Sequence, residues 1–351
     1  MKNQRILIIR PDRIGDVVLT TPLIRSIRQA FPQSFIAAMV HPSNIPLLEK
    51  NPHINEILTD DPSHTDAGRK GFWKKAGQLH AYRFDIGLMP FPRERHAWMM
   101  LLAGIRTRIG VGKKLYQMLT FTSSVSRHKY IPLRHEADYM LDLGLRIGAT
   151  SRDTKPEVFI TEDEKARAHE YLSLLGISFS KPIIGVNPIS RGSSPNWKAE
   201  KYIRLMEHLV VCFNVVINLG PHEIEQRSLF KSLEHNGAVI LIQQLREHMA
   251  SVSQLDALIS SSTGSMHIAA ALGIPTVSLF CPLTACSPEL WGPLGNRSKV
   301  ILPKEDYCQT RCPGDPKICP LDDIEIPAVI EGIEAILREK ETSPLHPKER
   351  L

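Results

Sequence analysis

The chain has 351 residues, 42% of them hydrophobic, with a formal charge of +6 and six cysteines. That length suits two α/β domains, the longest apolar runs are far too short to span a bilayer, and so few cysteines do not make a disulfide scaffold. The basic balance implies an anionic partner, and the N-terminus lacks a basic segment followed by a secretory apolar stretch, so the expected location is the cytoplasm.

Arg5-Ile-Leu-Ile-Ile9 opens the chain as an apolar run of the kind found in strands covered on both faces. Arg10-Pro-Asp-Arg-Ile-Gly-Asp16 follows, and Val17 to Arg28 then has helical spacing. A carboxylate at Asp16, where a helix opens, either caps that helix or works as a general base. Further strands are expected at Phe35 to Val40, Ile54 to Leu58, Phe84 to Met89 and Thr107 to Val111. Amphipathic helices between them mean a parallel sheet with crossover connections. Arg69-Lys-Gly-Phe-Trp-Lys-Lys75 sets four cations around two aromatics, and Arg93, Arg95, Arg106, Arg108, Lys113 and Lys114 lie in the same half. Such a segment suits a membrane surface or a solvated loop, and no nucleic-acid reading module accompanies it.

A helix from His135 to Ile147 closes the first half, and Thr161-Glu-Asp-Glu164 reads as a capping box at the domain junction. The pattern then restarts, with strands expected at Pro182 to Val186, Val215 to Leu219, Ala238 to Ile242, Ala257 to Ile259 and Thr276 to Phe280, and a helix from Ala199 to Phe213. Between the last two strands, Ser260-Ser-Ser-Thr-Gly-Ser-Met-His267 puts a hydroxyl- and glycine-rich turn before an alanine-rich helix. The turn is either an ordinary N-cap or a seat for a diphosphate, because the free N–H groups of a first helical turn and its dipole attract anions. From Cys281 to Pro327 the chain reads as irregular, followed by a helix from Val329 to Arg338.

Several chemistries are disfavoured. The first loop holds one glycine where a dinucleotide fold needs three, and there is no Walker A motif and no Asp-x-Asp pair for a divalent ion. Cys308-x3-Cys312-x6-Cys319 does not have the spacing of a paired zinc site, and free thiols are expected there. No cofactor and no metal are therefore expected.

Three stretches together resemble glycosyltransferase family 9, the ADP-heptose:lipopolysaccharide heptosyltransferases. They are Ile14-Gly-Asp-Val-Val-Leu-Thr-Thr-Pro22, Asp85 to Gly110, and Ser262-Thr-Gly-Ser-Met-His-Ile-Ala-Ala-Ala-Leu-Gly-Ile-Pro275. The resemblance runs from Arg5 to Ile336 and implies a GT-B fold of class α/β, with two Rossmann-like, doubly wound parallel sheets facing an interdomain cleft. On this reading residues 1–160 bind the acceptor, 161–325 bind the nucleotide sugar, 326–340 form a C-terminal helix and 341–351 a disordered tail. The resemblance further implies inversion at the anomeric carbon without a metal.

It makes Asp16 the general base, places Thr263, Gly264 and His267 with Ser262 and Ser265 on the diphosphate, and puts Glu223 of Gly220-Pro-His-Glu223 near the nucleoside. Arg13, Arg93, Arg95, Lys113 and Lys114 are candidate contacts to an anionic glycolipid acceptor. Two positions depart from the family pattern: Ser262 stands where an aspartate is usual, and Pro195 where a lysine usually precedes Trp197 by two residues. Arg191 or Lys198 would then supply the missing cation. Heptose or a similar sugar on a nucleotide diphosphate is the expected donor; a catalytically silent binding relative and a sugar-nucleotide epimerase are the alternatives.

Overall fold

The computed structural model describes residues 3–127 and 130–342, and the tail expected to be disordered lies outside them from residue 343 on. The chain divides into two compact units, one of residues 1–161 with 289–295, the other of 162–288 with 296–351.

The first unit is built on a six-stranded sheet with β1 (Arg5–Ile9), β2 (Phe35–Val40), β3 (Glu56–Thr59), β4 (Ile86–Met89), β5 (Thr107–Val111) and β6 (Ser123–Val125). All neighbours pair in parallel, in the order β3-β2-β1-β4-β5-β6. Ile6 to Ile9 are closed to solvent because β1 is central and helices cover both faces. One face carries Leu7, Ile9, Met39, Met89, Met99 and Met100, all of them in a single apolar cluster with Leu79 and Phe84. Each such side chain contributes about 1.5–3 kcal/mol by leaving water. Gly87 leaves room under that layer, since a Cβ there would come within 2.5 Å of Met100 Sδ and force that side chain to move.

The second unit repeats the design with β7 (Ile183–Asn187), β8 (Asn214–Leu219), β9 (Val239–Ile242), β10 (Ala257–Ser261), β11 (Thr276–Leu279) and β12 (Ser298–Ile301). Its parallel order is β12-β11-β10-β7-β8-β9, which is the first unit's order written from the other edge. The expected strands are all present, with ends displaced by a residue or two. Two edge strands, β6 and β12, were not expected; both are short and partly polar, so no apolar run announces them. The stretch from Cys281 to Pro327 is therefore not wholly irregular, since it also contains helices Pro288–Trp291 and Glu305–Thr310.

Two further differences concern the junction. Residues 289–295 return to the first unit, where Gly292 O accepts from His135 Nε2 at 2.9 Å and Gly295, at φ +85°, packs on Lys155. The last helix runs Ile326–Thr342, longer at both ends than its apolar spacing suggested. Among the described residues no helix is long and apolar enough to cross a membrane.

Candidate active site

Open parallel sheets bind ligands beyond the carboxyl ends of their strands, near the point where strand order reverses. In the first unit that point lies beside β1, and the chain leaving β1 is Arg10 to Asp16. Arg10 is buried and binds three carboxylates. Its Nε lies 2.9 Å from Asp12 Oδ1, its Nη2 donates to Asp16 Oδ1 and stands 3.5 Å from Glu136 Oε1. Arg127 Nη2 donates to the same Glu136 oxygen at 2.8 Å, and Asn44 Nδ2 ties down the Asp12 carbonyl at 2.7 Å.

Asp16 opens helix Ile14–Val18 after an extended Arg13, and the helix has no side-chain cap. Its carboxylate is turned to Arg10 instead of to a free N–H, so the cap reading is not what the geometry shows. Two guanidinium groups face three carboxyls in this cluster, leaving one negative charge uncompensated if all ionise. Burial pushes Asp12 up to about 6 against the opposing pull of Arg10, and burial also raises Glu136 despite Arg127 and Arg10. Arg10 and Glu136 are buried, whereas Asp16 is partly exposed, as are Asp12 and Arg127.

The remaining acceptor-side candidates all leave carboxyl ends of the same sheet. Arg93 is exposed after β4, with its guanidinium 5.0 Å from the Phe91 ring, and Lys113 and Lys114 are exposed after β5. Arg95 differs from the expectation. Its Nε and Nη2 donate to the two oxygens of buried Asp60 at 2.9 Å each, and Nη2 also donates to Asp66 O at 2.8 Å. That bidentate fork makes it an internal brace and not a group presented to an acceptor. The segment Arg69 to Lys75 lies within helix Gly68–Tyr82, and Lys75 is buried 3.3 Å from Asp66, so it is not the free basic loop that its sequence allowed.

In the second unit the corresponding place follows β7 and β10. Thr263 is the extended N-cap of helix Gly264–Ala271, yet its side chain makes no capping bond and its buried Oγ1 has no hydrogen-bond partner. The first-turn N–H groups behind it are those that a helix leaves without an internal partner. Ser265 Oγ donates to Asn187 Oδ1 at 2.9 Å and lies 3.0 Å from His248 Nε2. Since the hydroxyl has one proton, His248 must be the donor in the second bond, with its proton on Nε2. Burial holds His248 down at about 4, which keeps it neutral. Ser265 thus fixes the helix start to the end of β7, and a ligand would meet its N–H, not its hydroxyl.

Ser262 is partly exposed and His267 is buried in the same helix. Arg191, at φ +50°, and Lys198 are exposed on the segment after β7. Glu223 Oε2 accepts from Gly220 N at 2.8 Å, closing the turn after β8. All the donor-side candidates therefore gather at one sheet edge. All six cysteines are free; Cys281 and Cys319 are buried, with Cys286, Cys308 and Cys312 against the same core. Among the described residues no group of three His, Cys, Asp or Glu side chains stands where it could hold a metal ion.

Sequence reading missed Arg10, Asp12, Glu136, Asn187 and His248. Arg10 had a signal: a cation directly after a central apolar strand lies at the carboxyl edge. Asp12 lies in the same loop as Arg10 and Asp16, whereas Glu136, Asn187 and His248 come from distant parts of the chain.

The profile of glycosyltransferase family 9 (heptosyltransferase) matches residues 72–315. Lipopolysaccharide heptosyltransferase 2 of Escherichia coli K12 is 27% identical over 361 residues, covering 96% of this chain and 99% of its own. A glycosyl transferase family 9 structure from Veillonella parvula superposes with a TM-score of 0.84 at 23% identity, covering 97% of this chain and 98% of the other. The E. coli ADP-heptose lps heptosyltransferase II structure gives 0.77 at 24% identity, covering 97% and 100%. With two Rossmann-like sheets of the GT-B class and a match over most of its length, this chain belongs to glycosyltransferase family 9 and is a heptosyltransferase-type glycosyltransferase.

Proposed function

We propose that the protein transfers heptose or a similar sugar from a nucleotide diphosphate donor, ADP-heptose in the first instance, to a lipopolysaccharide core or related anionic glycan, with inversion and without a metal. The E. coli relative named for lipopolysaccharide heptose transfer supports the substrate class. The observation that carries the chemistry is Asp16, a partly exposed carboxylate held at a sheet edge by Arg10, which is itself buried together with Glu136.

In this reading Asp16 accepts the proton of the acceptor hydroxyl as that oxygen forms its bond to the anomeric carbon. The anomeric C–O bond to the diphosphate breaks on the opposite face, which inverts the centre. The negative charge leaving with the diphosphate is met by the N–H groups at Gly264, Ser265 and Met266 and by the hydroxyl of Thr263, with Arg191 or Lys198 as cation. Donors fixed before the reaction act most strongly where charge develops, which lowers the barrier and not merely the binding energy.

The test is transfer from ADP-heptose to heptose-deficient core glycolipid by wild type and Asp16→Asn. Loss of a general base costs about a hundredfold or more in kcat. Calorimetry should show ADP binding unchanged. Transfer at the wild-type rate by Asp16→Asn would refute the base, and product with retained anomeric configuration would refute inversion.

A further inference from the structure

Helix Leu115–Leu119 is built inside out. Its polar residues face the first unit: Gln117 and Thr120 are buried, Gln117 Nε2 donates to Val111 O at 3.0 Å, and Thr120 Oγ1 meets Thr122 Oγ1 at 2.9 Å. Gly110 makes room for the arrangement, since a Cβ there would come within 2.8 Å of Gln117 Nε2. Arg108 ties the far end by donating to Thr120 O at 2.8 Å. Its apolar residues face out, with Leu115 72% exposed and Met118 75%. Leu119 is exposed beside them, and Phe121, at φ +49°, is 77% exposed. A phenylalanine in the left-handed region costs of order 1 kcal/mol, so the backbone holds this ring outward against its own preference.

A soluble surface gains nothing by burying glutamine and threonine while showing leucine, methionine and phenylalanine to water. The charges around the patch indicate what covers it. Of the cations in the sequence on either side, Arg95, Arg127 and Arg134 are paired with Asp60, Glu136, Asp138 and Asp142. Lys113 and Lys114 are exposed directly before the apolar face. One carboxylate, Glu94 on the preceding helix, acts on Tyr116 and accepts from Trp98 Nε1 at 3.2 Å. Apolar side chains flanked by lysines suit a bilayer with anionic headgroups, which takes the former into its acyl boundary and the latter at its charged surface.

We propose that the face formed by Leu115, Met118, Leu119 and Phe121, with Lys113 and Lys114, docks the protein on an anionic lipid bilayer. This rests on the glycolipid acceptor proposed above. It places the membrane contact at the carboxyl edge of the first sheet, beside β5, where that acceptor would arrive from the lipid.

The test is co-sedimentation of the full chain with vesicles of phosphatidylethanolamine and phosphatidylglycerol, compared with phosphatidylcholine alone. Wild type should pellet with the anionic vesicles. The double variant Met118→Glu, Phe121→Glu should lose roughly tenfold or more of that partition, and added salt should weaken the wild type. Circular dichroism and a thermal melt of the variant should match wild type, showing that the unit carrying the substitutions folds. Wild type that stays in solution, or a variant that pellets equally, overturns the docking face. So does wild type that self-associates without lipid while the variant does not, since a second copy would then cover the patch. Failure of the transferase reading would instead appear as absent ADP binding and transfer, whatever the vesicles do.

Discussion

His96 Nε2 stands 2.9 Å from Asp60 Oδ2, and both side chains are closed to solvent. Burial favours the neutral acid, but the hydrogen bonds from His96 and Arg95 outweigh it and bring Asp60 down to about 2. Burial also keeps His96 below its ordinary value, so the imidazole is neutral and donates from Nε2. Both shifts work in one direction with pH. An Asp depressed from 3.8 to about 2 contributes stability above 3.8 that is lost as pH falls toward 2. A depressed His adds a loss that begins as pH falls through 6.5, where the unfolded chain gains the proton first. Asp60→Asn should therefore flatten the acid limb below about pH 4 and cost about 3 kcal/mol at pH 7, by leaving Arg95 without its carboxylate. Urea denaturation at several pH values checks both.

Arg10 uses the two sides of its guanidinium on carboxylates of two segments, which an ammonium on a flexible stem cannot reproduce. Arg10→Lys should lower kcat roughly tenfold to a hundredfold through a misplaced Asp16, with the KM for the donor little changed. A change in donor KM without a change in kcat would contradict that role.

Asp12 carries the opposite pH signature. A carboxyl raised from 3.8 to about 6 contributes stability below 3.8 that is lost as pH rises through 6. Asp12→Asn, which keeps the shape of the protonated acid, should be more stable relative to wild type at pH 8 than at pH 5. Paired thermal melts at the two pH values measure the difference.

Ser265 is the middle of a three-residue chain, His248 to Ser265 to Asn187, that fixes the first turn of helix Gly264–Ala271. Ser265→Ala should cost about 1–2 kcal/mol, because Asn187 and His248 are left with unsatisfied groups. Calorimetry should show ADP binding several-fold weaker.

Gly71 sits so close to the preceding turn that a Cβ would lie 2.2 Å from the carbonyl carbon and oxygen of Asp66. Backbone cannot step aside as a side chain can. Gly71→Ala should destabilise by about 3 kcal/mol and loosen the turn that accepts from Arg95, read as a lower Tm.

Much was legible in the residues themselves. Apolar runs such as Arg5–Ile9 and Asn214–Leu219 declare central strands because both faces must be covered, and their alternation with helical spacing dictates two parallel sheets. The glycine and hydroxyl turn at 262–265 and the acid at Asp16 were visible for the same local reason: the chemistry sits in the few residues where strand becomes helix. Tertiary structure decided what depends on residues far apart in the chain. Arg95 was indistinguishable from Arg93 until Asp60, 35 positions earlier, was brought beneath it. Arg10 acquired Glu136 from 126 positions away, and with it the cluster that holds Asp16. Helix Leu115–Leu119 shows the limit most clearly, since its spacing is amphipathic but only the buried partners of Gln117 and Thr120 reveal that the polar side faces in. Periodicity says that a helix has two faces; contacts made by the folded chain determine which of them meets water.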